Sequence, residues 1–194
     1  MDPVKIGKLI YTLRREKNLT QSQLAAQLYV SDKAVSKWEC GNGCPDLSLL
    51  PLLSEALGVD LEKLLSGELD INEKSGGNMK NLSFYICPTC GNVITPMTEA
   101  SVSCCGKKMK PAQPVKAKPE ERLTVERIEN DYFITSEHPM EKGHYLSFVA
   151  LLTGDSLLLR RQYPEWGLQV RIPALAHGRL FWYCTEHGLF WQPL

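Results

Sequence analysis

Apolar positions in the first 68 residues recur with a helical period. Ile6, Leu9, Ile10 and Leu13 fall at i, i+3, i+4 and i+7, which predicts an amphipathic helix over 4–17. Thr20 followed by Gln23 has the spacing of a capping box and opens a second helix, 21–28, with Leu24, Ala25 and Leu28 inward. Tyr29-Val30-Ser31 is a tight turn. Ser31 then caps a third helix, 32–40, whose Val35 and Trp38 face the core and which Gly41 ends. Asp46 is expected to cap a fourth helix striped by Leu50, Leu53 and Leu57, and Asp60 a short fifth carrying Leu61, Leu64 and Leu65. Residues 69–81 have no apolar period and read as a flexible tether.

From residue 119 the period changes to that of strands. Segments 123–128, 132–135, 145–153, 156–163, 168–172, 179–184 and 189–191 alternate with turn signals, which predicts a small antiparallel sandwich. Its core candidates are Phe148, Leu152, Leu158, Phe181, Tyr183 and Phe190. The fold class is therefore multidomain α + β. It comprises a five-helix domain (1–68), the tether (69–81), a cysteine knuckle (82–118) and a β-sandwich (119–194).

The 194 residues are 43% hydrophobic and 23% charged, and no apolar run approaches the ~20 residues of a membrane span. With no secretory leader pattern in M-D-P-V-K-I-G-K-L-I, a cytoplasmic location is expected, without membrane contact. Seven cysteines then point to metal ligands or redox thiols more than to a disulfide framework. The net charge of zero hides blocks. Residues 1–40 carry seven Lys/Arg against four Asp/Glu, 41–68 one against five, and 80–118 six lysines against Glu99 alone. Only the first and third blocks suit a polyanion.

Two groups of residues carry metal chemistry. Cys87-Pro88-Thr89-Cys90-Gly91 and Cys104-Cys105-Gly106 have the spacing of a four-thiolate site, suited to tetrahedral zinc or a mononuclear iron. The alternative is redox-active thiols, including a strained Cys104–Cys105 bridge. His138 and His144, in S-E-H-P-M-E-K-G-H, and Cys184-Thr185-Glu186-His187 supply imidazoles and a thiolate that suit a borderline metal. Read alone, these are also compatible with two polar turns holding incidental histidines.

Leu19–Gly41, L-T-Q-S-Q-L-A-A-Q-L-Y-V-S-D-K-A-V-S-K-W-E-C-G, resembles the lambda-repressor/Cro-like helix-turn-helix family. The resemblance implies a DNA reader whose third helix enters the major groove. Asp32, Lys33, Ser36 and Lys37 would meet bases or nearby phosphates, and Gln21 would hold a phosphate. A homodimer on a two-fold DNA operator follows. The alternative is a helical bundle used for protein contact. Tyr29 stands where that family usually has glycine, which implies mild strain in the turn.

Y-I-C-P-T-C-G-N-V-I with S-C-C-G-K-K-M-K-P resembles desulforedoxin and the N-terminal module of desulfoferrodoxin. E-H-P-M-E-K-G-H-Y with Y-C-T-E-H-G-L-F-W resembles the superoxide reductase (neelaredoxin-like) domain that follows it. The resemblance implies one iron on Cys87, Cys90, Cys104 and Cys105, and a second on His138, His144, Cys184 and His187. Zinc would fit either set. That family's second iron takes one more histidine, from a Glu-Lys-His motif. This chain reads Glu121-Arg122-Leu123 there, and leucine cannot ligate. His177, at an expected hairpin tip, lies too far along its strand to substitute. Water or Glu121 would fill the open position, and Arg122 would attract superoxide. The functions implied are a transcriptional regulator sensing metal or redox state, a superoxide reductase with a regulatory DNA reader and a redox partner protein, or a repressor with two structural zinc sites.

Overall fold

The computed structural model describes residues 2–72, 79–174 and 177–194, and divides into two compact units, Met1–Ile71 and Asn72–Leu194. The first consists of five helices: α1 (Pro3–Glu16), α2 (Gln21–Gln27), α3 (Asp32–Glu39), α4 (Leu50–Leu57) and α5 (Leu61–Ser66). The apolar stripes meet in one core of Ile6, Ile10, Leu24, Leu28, Val35, Trp38, Leu53, Leu57 and Leu64.

The caps explain where the helices begin. Asp2 Oδ1 accepts the backbone N–H of Val4 and opens α1. Thr20 and Gln23 form the expected reciprocal box, Gln23 N to Thr20 Oγ1 at 3.1 Å and Thr20 N to Gln23 Oε1 at 2.8 Å. Ser31 Oγ accepts Ala34 N at 3.2 Å. Gly41, at φ +71°, takes the left-handed conformation that ends α3.

Three local expectations are corrected. Asp46 does not cap α4 directly. Its Oδ1 accepts both the N–H and the hydroxyl of Ser48, which winds a 3-10 turn, Leu47–Leu49, ahead of α4. Asp60 precedes α5 in extended conformation but makes no side-chain cap bond. Leu61 is 42% exposed, so α5 packs through Leu64, with Leu65 partly buried.

The second unit holds two short hairpins and a sandwich. Strands β1 (Tyr85–Ile86) and β2 (Val93–Ile94) form one hairpin, β3 (Val102–Cys104) and β4 (Lys107–Met109) the other. The remaining strands are β5 (Val115–Lys116), β6 (Thr124–Ile128), β7 (Asp131–Thr135), β8 (Leu146–Leu152), β9 (Leu157–Arg161), β10 (Gln169–Pro173), β11 (Arg179–Cys184) and β12 (Gly188–Pro193). They form a three-stranded sheet, β10-β7-β6, and a five-stranded sheet, β5-β12-β11-β8-β9. All pairs are antiparallel except β5 with β12.

β8 is buried on both faces, which fits its unbroken apolar run L-S-F-V-A-L-L. One face packs Leu146, Val149 and Leu151 with Ile134, Ile172 and Trp182, where the two sheets meet. The other packs Phe148, Ala150 and Leu152 with Phe181, Phe84 and Met79. Phe84, just before β1, lies 5.6 Å from Phe148 and 5.2 Å from Phe181 between ring centroids. Of the core candidates, Phe148, Leu152 and Phe181 are buried, while Leu158, Tyr183 and Phe190 are only partly so.

Of the expected tether 69–81, residues 73–78 lie outside the described residues. Met79–Asn81 forms a 3-10 turn, with Met79 buried and its N–H on the carbonyl of Gly154.

Candidate metal centre

His138 sits in the loop after β7. Its backbone N–H donates to Ser136 Oγ at 3.0 Å, and its Nδ1 lies 2.6 Å from Pro139 O. A carbonyl only accepts, so Nδ1 carries the proton and Nε2 holds the free lone pair. Burial lowers the His138 pKa, which keeps the ring neutral. That Nε2 is buried and has no hydrogen-bond partner. Buried polar atoms are normally satisfied, so a buried lone pair without a hydrogen-bond partner fits a metal ligand.

The other three donors converge on it. His144 is fixed by a tight turn in which Glu141 and His144 exchange backbone hydrogen bonds. Cys184 ends β11 just past a register shift, and Gly188, at φ +89°, closes the turn that brings His187 back. Thr185 ties the two loops together: its Oγ1 donates to Gly143 O at 2.9 Å and accepts Tyr145 N at 3.1 Å. His187 Nδ1 lies 3.4 Å from Cys184 Sγ and 3.3 Å from His144 Nε2. One donor atom from each of His138, His144, Cys184 and His187 lies within 4.8 Å of the others. Three imidazoles and a thiolate fit a borderline divalent metal, and the Pro139 carbonyl holds His138 as outer hydrogen bonds do in metal sites.

The donors open onto a cavity of about 650 Å³, bordered by Glu121, Arg122 and Leu123. Leu123 is 4% exposed and belongs to the core between the sheets. Glu121, offered above as a replacement ligand, accepts Lys118 N at 2.8 Å through Oε2 and so caps its own 3-10 turn. His177 is outside the cluster of donors.

Four of the other six thiols, those of Cys87, Cys90, Cys104 and Cys105, form a second group, again within 4.8 Å of one another. Cys87 directly follows β1, and Gly91 N returns to its carbonyl at 2.8 Å in the expected knuckle turn. The backbone N–H groups of Cys90 and Thr89 point at the Cys87 sulfur and bring its pKa down to about 6. The Cys90 and Cys87 sulfurs push Cys105 up to about 12. Cys90 and Cys104 sulfurs are 3.5 Å apart, and Asn92 Nδ2 donates to Cys104 Sγ at 3.8 Å. Cys104 and Cys105 are both free thiols, so the bridge considered above is not formed. This tetrathiolate fits zinc or iron.

In the helical unit, Gln21, Asp32, Lys33, Ser36 and Lys37 line one shallow depression of about 420 Å³, together with Cys40 and Asn42. Those last two escape the sequence pattern because they follow the end of α3. Gln21 Nε2 also donates to Glu39 Oε2 at 2.8 Å. Tyr29 takes φ +56° with 89% of its surface exposed, as its unusual place in the turn implied.

One further residue had no sequence signal. Gln192 is 7% exposed and reaches from β12 to the backbone of Leu123. Leu189 and Gln192, the buried pair on β12, are three positions apart, an odd spacing that the strand period does not predict.

A helix-turn-helix family model, HTH_3, matches residues 10–64. Over 79 residues the chain is 44% identical to the HTH-type transcriptional activator BcrR of Enterococcus faecalis, covering 41% of this chain and 39% of that protein. The chain thus spans about two fifths of this relative's length. Over 121 residues it is 31% identical to the desulfoferrodoxin of Desulfarculus baarsii, covering 56% of this chain and 94% of that protein. The superoxide reductase of Treponema pallidum superposes with a TM-score of 0.50 at 19% identity, over 57% of this chain and 97% of that one, a likeness of fold. No described helix is long and apolar enough to cross a membrane.

Proposed function

Since this chain belongs to the desulfoferrodoxin family, we propose that it is a DNA-binding transcriptional regulator whose C-terminal unit binds iron and senses metal or redox state. The observation that carries the reading is the orphaned Nε2 of His138, on a residue whose donor atom lies within 4.8 Å of those of two other histidines and a cysteine, in a chain that also carries a helix-turn-helix unit.

Cys87, Cys90, Cys104 and Cys105 would hold one iron, and His138, His144, Cys184 and His187 the other. Iron bound by the histidines and Cys184 supplies a one-electron centre with room for an added ligand. The chain's own residues prepare that site. Pro139 O fixes the His138 tautomer, the turn through Thr185 holds the loops in register, and Leu123 leaves the wall of the cavity without a donor atom. Arg122 brings positive charge to the cavity rim, where a small anion would arrive.

On the helical unit, α3 is the reading helix. Lys33, Ser36 and Lys37 face DNA, Asp32 faces base edges, and Gln21 contacts a phosphate. A homodimer on a two-fold operator, in the cytoplasm, completes the reading.

A superoxide reductase with a regulatory DNA reader is the second reading. The open cavity and Arg122 favour it, and it calls for a redox partner protein. A repressor with two structural zinc sites is the third. Metal content by mass spectrometry after anaerobic purification tests all three. Iron with a redox-sensitive visible absorption is expected, and stoichiometric zinc without colour would overturn the first two. Stopped-flow decay of superoxide then separates regulator from enzyme.

A further inference from the structure

The β3–β4 hairpin is rich in positive charge. Its turn is Cys105-Gly106, both left-handed at φ +50° and +74°, the conformation that matches strand twist in a two-residue hairpin. The register sets Cys104 opposite Lys107, Ser103 opposite Lys108 and Val102 opposite Met109. Val102 is buried and Met109 half-buried, so that pair faces inward. Lys107, Lys108 and Lys110 are exposed. Lys116 and Lys118 extend the run, and no Asp or Glu occurs between Glu99 and Glu120.

Two ordinary explanations account for part of this charge. Lys116 lies on β5, a sheet edge, where lysine discourages strand pairing, and it also sits over the Trp191 ring. A divalent metal on four thiolates leaves two negative charges, which nearby lysines offset. Five lysines exceed that need; the hairpin is itself two-stranded, so the edge explanation extends to Lys107 and Lys108 but not to Lys110, which lies past β4.

We infer that Lys107, Lys108 and Lys110 form a second contact with the DNA backbone, made without sequence preference by the same chain that reads DNA through α3. The inference rests on the proposed DNA binding of the helical unit. A duplex held by that unit is presented to the rest of the chain at high effective concentration, which favours DNA over an unattached acidic protein. Lysine ammonium groups act as point charges, suited to phosphates rather than to base edges.

The test uses the full-length, metal-loaded protein and a duplex of random sequence, roughly two helical turns long. Binding is measured across a salt series for wild type, K107Q/K108Q/K110Q, the corresponding triple arginine variant and K37A. Each phosphate contact contributes about 0.9 to the slope of log K against log salt. The glutamine variant should flatten the slope by about 2 to 3, and the arginine variant should keep it. Metal content and circular dichroism are measured for each variant, and the arginine variant, which keeps the charge beside the thiolates, controls for any loss of metal.

If the glutamine variant keeps the wild-type slope while K37A weakens binding, the hairpin contact is overturned and DNA reading by α3 stands. If K37A has no effect but the glutamine variant flattens the slope, the assignment of α3 fails and the hairpin contact stands. An unchanged DNA slope with lost binding to polyglutamate assigns the face to an acidic protein and overturns the inference.

Discussion

The side-chain amide of Gln192 pairs with both backbone groups of Leu123: Oε1 accepts Leu123 N at 3.0 Å and Nε2 donates to Leu123 O at 3.1 Å. Both partners are buried, and they lie 69 residues apart in sequence. This bond fixes the segment that carries Glu121 and Arg122 to the rim of the candidate metal site. Gln192→Leu leaves two buried backbone groups unpaired, each costing about 1–3 kcal/mol. A fall of roughly 2–6 kcal/mol in unfolding free energy is expected, with faster loss of metal to a chelator. Denaturant melts and metal analysis measure both.

Leu123 itself is the next test. Leu123→His places an imidazole on the cavity wall at the position where the related family has its further histidine ligand. Slower metal loss to a competing chelator is expected, with faster superoxide decay if the missing ligand is what limits reduction. The metal-free variant should be less stable by about 1–3 kcal/mol, because an unpaired polar group then sits in the core. Equal retention by variant and wild type would show that the fifth position does not govern metal hold.

In the helical unit, Arg14 and Glu39 form a buried pair. Arg14 Nε and Nη2 both donate to the Glu39 carboxylate, and Nη1 donates to Leu19 O at 2.6 Å. Arg14→Ala strands a buried carboxylate and should cost about 3–5 kcal/mol in a thermal or denaturant melt. Lys5→Ala breaks the exposed pair with Glu68 and should cost under about 1 kcal/mol. Comparable losses in the two variants would contradict the burial argument.

Tyr29 gives a prediction of the opposite sign. A tyrosine at φ +56° with almost all its surface in solvent has strain and little packing to offset it. Tyr29→Gly should stabilise the unit by about 1 kcal/mol. If stability falls instead, the ring makes contacts that outweigh the backbone strain.

The helical unit was legible because its signals are local. The Thr20–Gln23 box and the Ser31 cap depend on neighbours three residues away, and the Leu24–Leu28 stripe on one turn of helix. Asp46 misled because Ser48, two residues on, takes its Oδ1 first and winds a separate turn. The metal donors were legible as two short motifs, with family resemblance joining them. The lone pair left on His138 was not, because it follows from Pro139 O choosing the tautomer. Gln192 was invisible for a different reason. A polar residue near the end of a strand reads as outward until its partner on another element is known.

The placing of Phe84 has a consequence for how the two thiolate-bearing sites behave together. It leads into β1, which Cys87 follows, and it packs on Phe148, whose other ring neighbour is Tyr183, one residue before Cys184. Each metal group therefore hangs from the same apolar stack, and neither half of this unit melts without exposing rings that belong to the other. A ligand that binds only the folded state shifts the folding balance by mass action. Where the metal-free unit is partly unfolded, filling either site would raise the apparent affinity of the other, although no donor is shared. Under that condition metal starvation would empty both over a narrower range of free metal than two independent sites would, giving a graded supply a switch-like readout.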